Sequence, residues 1–183
     1  FIPLTPISFL ERAKDIYPNY EALIYEDRIY NWSEVYRRCI KFASALEKIG
    51  IGEGDTVSVM TCNTPEIFEL HYSVPMTRAV LNTINIRLDA KTVSYILNHS
   101  EAKVLIVDRQ FHSVVEKAFG SLKKKPIIID VHDKFADQSL LKKIGEREYE
   151  EFLNSGDDNY IWKRPKNEWE AISLSYTSGT TGN

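Results

Sequence analysis

Two stretches, Val104-Leu105-Ile106-Val107 and Ile127-Ile128-Ile129, are apolar at every position. A strand with one wet face alternates; a strand apolar throughout is buried on both faces, as in a parallel sheet covered by helices. The surrounding text fits that condition. Strand-like runs at 56–61, 79–84, 103–107 and 126–129 alternate with helical spacing that starts at Thr64, Asp89 and Gln110. Strand and helix in turn predict an α/β fold, a largely parallel sheet with helices on both faces.

Upstream, Thr5-Pro6 predicts a helix start, with Thr5 as cap and Pro6 at the first helical position. Runs at 22–25 and 28–32, split by Glu26-Asp27, predict a hairpin. Ser33 is read as the cap of a long helix reaching about Ile49, because Val35, Cys39, Phe42, Leu46 and Ile49 recur at spacings of 4, 3, 4 and 3. The glycines at 50, 52 and 54 stop it. Pro75 is expected to end or kink the helix begun at Thr64. Residues 130–170 are polar and charged, with one helical stretch near 148–153, and are expected to form a surface excursion rather than a second domain.

With 183 residues, 43% hydrophobic and 27% charged, the chain has the make-up of a soluble globular domain. Its net charge of -3 argues against a general nucleic-acid binder, which carries a basic excess. No apolar run approaches the length of a transmembrane helix. Phe1-Ile2-Pro3-Leu4-Thr5 has neither a basic region nor an initiator Met, so it reads as neither a signal peptide nor an intact start. Cys39 and Cys62 are too few for a disulfide framework and are read as buried free thiols, which fits a reducing compartment. The spacing of His71, His99, His112 and His132 suggests no metal.

The chain ends with Tyr176 followed by Thr177, Ser178, Gly179, Thr180, Thr181, Gly182 and Asn183. Four hydroxyls and two glycines occupy six consecutive positions directly after a strand-like run, 171–176. Glycines let backbone amides gather round an anion, and hydroxyls add donors to phosphate oxygens. The stretch is neither a Walker loop nor a dinucleotide fingerprint. Composition alone leaves two readings, a polyphosphate loop or a solvated linker.

The segment 176–182 resembles the phosphate loop of the acyl-adenylate-forming enzymes, the superfamily of acyl-CoA synthetases, adenylation domains and firefly luciferase. The likeness continues upstream. Gly54-Asp55-Thr56-Val57-Ser58-Val59 followed by Asn63-Thr64-Pro65-Glu66 looks like the family's early strand, loop and helix. The segment 80–90, containing Asn82, Asn85, Arg87 and Asp89, is similar to the short- and medium-chain acyl-CoA synthetases, as are 102–108 and Asn167-Glu168-Trp169. One departure is Arg78, where the superfamily commonly has Gly; it bears on the local backbone rather than on the family.

The resemblance implies that residues 1–183 are the first part of the large N-terminal AMP-binding domain of an enzyme about three times longer. It implies ATP, Mg2+ and coenzyme A as substrates and cofactor, and a small carboxylic acid as the group activated. Thr177, Ser178, Gly179, Thr180, Thr181 and Gly182 would bind the phosphates. Catalytic lysines and the metal ligand would lie beyond residue 183, so no catalytic or metal residue is expected within this sequence. The partners implied are these small molecules and the remainder of the same chain, with a homodimer as a candidate assembly. The compartment implied is the cytoplasm, or the peroxisome in a eukaryote. Two rivals stand beside this reading: a non-catalytic folding or docking module, and an adenylating enzyme that loads a carrier protein.

Other motifs point to packing. Lys123-Lys124-Lys125 reads as a solvated turn, and Glu150-Glu151 as adjacent carboxylates that diverge on a helix. Tyr25, Tyr30, Trp32 and Tyr36 read as core or interface packing, His71 as a structural histidine, and Trp162, Lys163 and Arg164 as contacts to a part of the protein outside this segment.

Overall fold

The computed structural model describes residues 3–177. It opens with α1 (Pro6–Ile16), capped as the sequence predicts: the Thr5 side chain accepts from the Ile7 amide. The antiparallel hairpin of β1 (Glu21–Tyr25) and β2 (Arg28–Asn31) turns through Glu26 in a left-handed conformation, φ 53°.

The next helix, α2 (Trp32–Lys48), starts one residue ahead of Ser33. Asn31 is the cap. Its side chain accepts from the Glu34 amide at 2.9 Å, and the Glu34 carboxylate accepts from the Asn31 amide at 2.8 Å. This reciprocal box satisfies two otherwise open donors, which a lone hydroxyl at position 33 does not.

Next come β3 (Thr56–Met60), α3 (Pro65–Met76), β4 (Val80–Thr83), α4 (Ala90–His99), β5 (Val104–Asp108), α5 (His112–Phe119) and β6 (Ile127–Val131), in the predicted order. Pro75 sits in the last turn of α3, which ends one residue later. Asp89 caps α4 by accepting from the Thr92 amide. Then β7 (Arg147–Glu148), α6 (Tyr149–Asn154) and β8 (Ser173–Leu174) complete the described chain.

Six strands form one sheet in the order β7-β6-β5-β3-β4-β8, and every neighbouring pair is parallel. Every residue of β3 and β5 is buried, as expected for the continuously apolar run 104–107 of β5, while in β6 Ile127 is exposed and the rest buried. Val57, Val59, Val104, Ile106 and Ile129 pack with Phe42 and Leu46 of α2, Leu70 and Val74 of α3 and Phe152 of α6. On the opposite face, Met60, Leu105, Val107 and Ile128 pack with Val93 and Leu97 of α4 and Val115 of α5. Helices therefore cover both faces, and side-chain alternation along each strand assigns residues to them.

Residues 130–170 are only partly surface. β6 runs on to Val131, β7 extends the sheet beside it, and α6 buries Tyr149, Phe152 and Leu153. Phe42 stacks on Tyr149 with ring centroids 4.6 Å apart and meets Phe152 edge-on at 5.1 Å. The two segments come so close that a Cβ on Gly156 would overlap the Lys41 carbonyl, so only glycine fits there. The spacing Tyr149, Phe152, Leu153 is the signal of burial in the sequence, obscured by the charged residues around it.

Trp162, expected to contact something outside this segment, is buried within it. It is 6% exposed, packs beside α1 and α2, and donates from Nε1 to the Glu11 carboxylate at 2.6 Å. Cys39 is buried as expected, but Cys62 is only half-buried beside Gln110.

Candidate functional site

In an open parallel sheet, ligands bind outside the carboxyl ends of the strands, most often where the connections reverse direction. Here that reversal lies between β3, whose connection leads to β4 on one side, and β5, whose connection leads to β6 on the other. The hairpin lies across this crevice. Tyr25 donates from its hydroxyl to Asp133 at 2.6 Å, and Arg28 bonds Glu66 at the start of α3 at 2.6 Å. Desolvation, reinforced by the Asp133 hydrogen bond, pushes the Tyr25 phenol up. Asp108 at the end of β5 is also pushed up by burial and bonds the Gln110 amide. These contacts tie the hairpin to the ends of β6 and α3 on either side of the reversal point.

β8 is two residues long and, among the described residues, pairs only with β4, through Leu81↔Ser173 and Asn82↔Leu174. Side chains reinforce it. Ser58 donates to the Asn82 side-chain oxygen at 3.0 Å, and Asn82 donates to the Leu174 carbonyl at 2.8 Å. Both side chains have no exposed surface, so this relay runs through the core from β3 to β8. Sequence reasoning gives neither residue a role. The signal is a polar residue inside each apolar strand, where it must find partners or be costly.

Arg78 holds the approach to β8. Its guanidinium grips the Glu170 carboxylate through two bonds of 2.8 and 2.9 Å and pairs with Glu53 at 2.8 Å. This pairing holds the Glu170 carboxyl below its ordinary range. The backbone φ of Arg78 is 64°, the left-handed region that glycine enters most readily. The departure from glycine here keeps a glycine-like backbone, and its strain, about 1–3 kcal/mol for a non-glycine residue, is opposed by two carboxylate contacts.

Beyond β8, Tyr176 packs against the α4–α5 layer and Thr177 is exposed. Ser178, Gly179, Thr180, Thr181 and Gly182 lie outside the described residues. β8 is parallel to its described neighbour, so Ser175, Tyr176 and Thr177 lie beyond the carboxyl end of the sheet.

The remaining sequence candidates fall into place as packing or surface. Lys123, Lys124 and Lys125 are exposed. Glu150 bonds Arg38 while Glu151 faces solvent, so the two carboxylates do diverge. Tyr30, Trp32 and Tyr36 are partly buried beside α1 and α2. His71 is exposed, bonds the Ile67 carbonyl through Nδ1 at 2.7 Å, and lines two apolar grooves of about 340 and 470 Å³ along α3. Among the described residues, no three His, Cys, Asp or Glu side chains are grouped so as to hold a metal, and no helix is long and apolar enough to cross a membrane.

A family model described as AMP-binding enzyme matches residues 10–183. The chain belongs to the AMP-binding enzyme family. The acetate–CoA ligase CCL3 of Humulus lupulus is 43% identical over 191 residues, covering 99% of this chain and 34% of that protein. The peroxisomal acetate/butyrate–CoA ligase AAE7 of Arabidopsis thaliana is 42% identical, again over 99% of this chain and 34% of the relative. The 2-methylpropanoate–CoA ligase CCL4 of Humulus lupulus is 38% identical over 98% of this chain and 33% of its own length. The chain thus spans about a third of the length of these AMP-binding relatives. In fold it matches the anthranilate CoA ligase AuaEII, solved with anthranoyl-AMP, at a TM-score of 0.85 and 23% identity over all of this chain and 34% of that one.

Proposed function

We propose that the full-length protein is an AMP-forming acyl-CoA ligase acting on a short- or medium-chain carboxylic acid. The carboxylate attacks the α-phosphorus of ATP and pyrophosphate leaves. The thiol of coenzyme A then attacks the acyl carbon of the adenylate, forming the thioester and releasing AMP. The observation that carries this reading is the origin of the hydroxyl- and glycine-rich segment. It follows a strand that is parallel to its described neighbour, at the end of the sheet where α/β folds bind ligands. Family membership and three relatives named as ligases of small acids support it.

In this reading, negative charge shifts among phosphate oxygens as the acid attacks, and donors already aimed at those oxygens stabilise the transition state. Thr177, Ser178, Thr180 and Thr181 supply hydroxyls, while Gly179 and Gly182 let backbone amides approach closely. Magnesium neutralises polyphosphate charge in such reactions. The described residues include no set fit to hold it, so no step is routed through them. In this reading the 183-residue segment alone, which spans about a third of the length of its relatives, is inactive.

The test is product analysis. Incubated with ATP, coenzyme A and acetate, butyrate or 2-methylpropanoate, the full-length protein should yield the acyl-CoA thioester and AMP by mass spectrometry, and the 183-residue segment should yield neither. Acyl transfer to a carrier-protein thiol in place of coenzyme A would overturn the acceptor assignment. Thioester formed by the segment alone would overturn its inactivity.

A further inference from the structure

α3 differs from the other helices on its outward side. Among the described residues, α1, α2, α4, α5 and α6 each expose a charged side chain: Arg12, Arg37, Lys91, Lys117 and Glu151 are examples. α3 exposes none. Its two glutamates are buried, Glu66 against Arg28 of the hairpin and Glu69 against Arg38 of α2, and its only exposed residue is His71. A helix that faces water carries a polar stripe, and one without it belongs to an interior.

Two grooves flank His71 and carry the apolar character beyond the helix. One, of about 340 Å³, lies between α3 and the hairpin, with Ile24 and Ile67 in its walls. The other, of about 470 Å³, lies between α3 and β8, with Tyr72, Pro75 and Ile172 in its walls. Phe68 lines both, and no Asp, Glu, Lys or Arg lines either. Ile24 is 63% exposed and Ile172 36%, so an uncharged strip runs from the hairpin across α3 to β8 and stands open to water.

We propose that this strip is an internal docking face, and that its occupant is the part of the full-length chain outside residues 1–183. Two observations favour that occupant over a second copy. The chain spans about a third of the length of its relatives, so most of a protein of that length is available to cover the strip. The strip also reaches β8, whose Ser173 lines the groove beside Ile172, close to the last described residue, Thr177. A segment of the same chain is held near the face at an effective concentration on the order of millimolar where its linker spans the gap, whereas a second copy must bind from free solution. The docking face stands whether or not the protein is a ligase.

The test is photo-crosslinking within the purified full-length protein. His71→p-benzoylphenylalanine places a reactive ketone on the crest of the strip, and Lys117→p-benzoylphenylalanine, on the exposed side of α5, is the control. After irradiation the variant at 71 should keep the monomer mass and yield a peptide joined to a residue outside 1–183, and the variant at 117 should yield little of it. A dimer band from position 71 would give the face to a second copy and overturn the proposal. Crosslinks confined to residues 1–183, or recovery of the unreacted ketone, would show an open face and overturn it as well. His71→Glu gives a second reading that needs no crosslink. On an open surface the change is nearly neutral, whereas under a packed segment it buries an unpaired carboxylate. The full-length His71→Glu variant should therefore melt several degrees below the wild type, while His71→Leu should not. Equal melting temperatures for His71→Glu and the wild type would contradict a covered face.

Discussion

Replacing Thr180 and Thr181 together by Val in the full-length protein should lower the rate of adenylate formation by roughly 10² to 10³, since one donor aimed at developing charge is worth about 2.7–4 kcal/mol. Valine keeps the size and branching of threonine and removes only the hydroxyl. Stability should therefore hardly change, and the melting temperature read alongside the rate separates lost donors from lost folding. Unchanged turnover and ATP dependence would reduce these residues to an ordinary linker.

The second large effect concerns stability. Arg38 of α2 bonds Glu69 of α3 through Nε at 2.5 Å and reaches Glu150 of α6 at 2.9 Å, so three helices on one face of the sheet meet at one guanidinium. Glu69 has no exposed side-chain surface and accepts a further bond from the Tyr149 hydroxyl at 2.9 Å. Burial pushes its carboxyl up to about 7, against the pull of Arg38 and Tyr149. Arg38→Met removes the cation and leaves a carboxylate buried without its partner. The expected loss at pH 8 is about 3–5 kcal/mol, the cost of breaking a buried pair from one side.

The pH dependence has a definite sign. Between the ordinary carboxyl value and about 7, the folded Glu69 holds a proton that the unfolded chain has released. Stability from this group therefore falls as pH rises through that window. Without Arg38 the folded value climbs further, so the deficit of the variant should be largest above pH 7 and shrink toward pH 5. Urea denaturation of both proteins across this range measures it. A deficit that grew toward acid pH would contradict a buried, poorly solvated Glu69.

Local patterns in the sequence are legible because local physics makes them. The apolar run at β5 announces a strand covered on both faces, the run at β6 does so except at its exposed first residue, Ile127, and the breaks at Thr5-Pro6, Pro75 and Asp89 fall where helices begin and end. The cap of α2 lies two residues before the expected Ser33 because two polar candidates, Asn31 and Ser33, stand close together. Only the reciprocal bond with Glu34 separates them. The fate of residues 130–170 is harder to read. Tyr149 and Glu150 find their partners in α2 and α3, and the Arg38–Glu150 bond spans 112 positions, a distance no windowed pattern samples.

At the candidate site, the glycine- and hydroxyl-rich text is visible in the sequence, and resemblance raises it above a linker. The scaffold beneath it is not visible there. Ser58 and Asn82 are single polar residues in apolar strands, and their meaning depends on β3, β4 and β8 being neighbours. Arg78 stands out in the sequence only as a departure from glycine. Its backbone is in the left-handed region that glycine enters most readily, and its grip on Glu170 opposes the strain of carrying a side chain there.

The most direct test of adenylate chemistry is ATP–pyrophosphate exchange by the full-length protein against straight and branched carboxylic acids of about two to twelve carbons. Exchange needs a carboxylate to attack the α-phosphorus reversibly, and needs neither coenzyme A nor knowledge of the acyl acceptor. Label from pyrophosphate should enter ATP only when a suitable small acid is present, and adding coenzyme A should drain the adenylate into thioester and AMP. No exchange with any of these acids would remove the short- and medium-chain assignment. Hydrolysis of ATP to ADP and phosphate, with no AMP formed, would contradict adenylation itself.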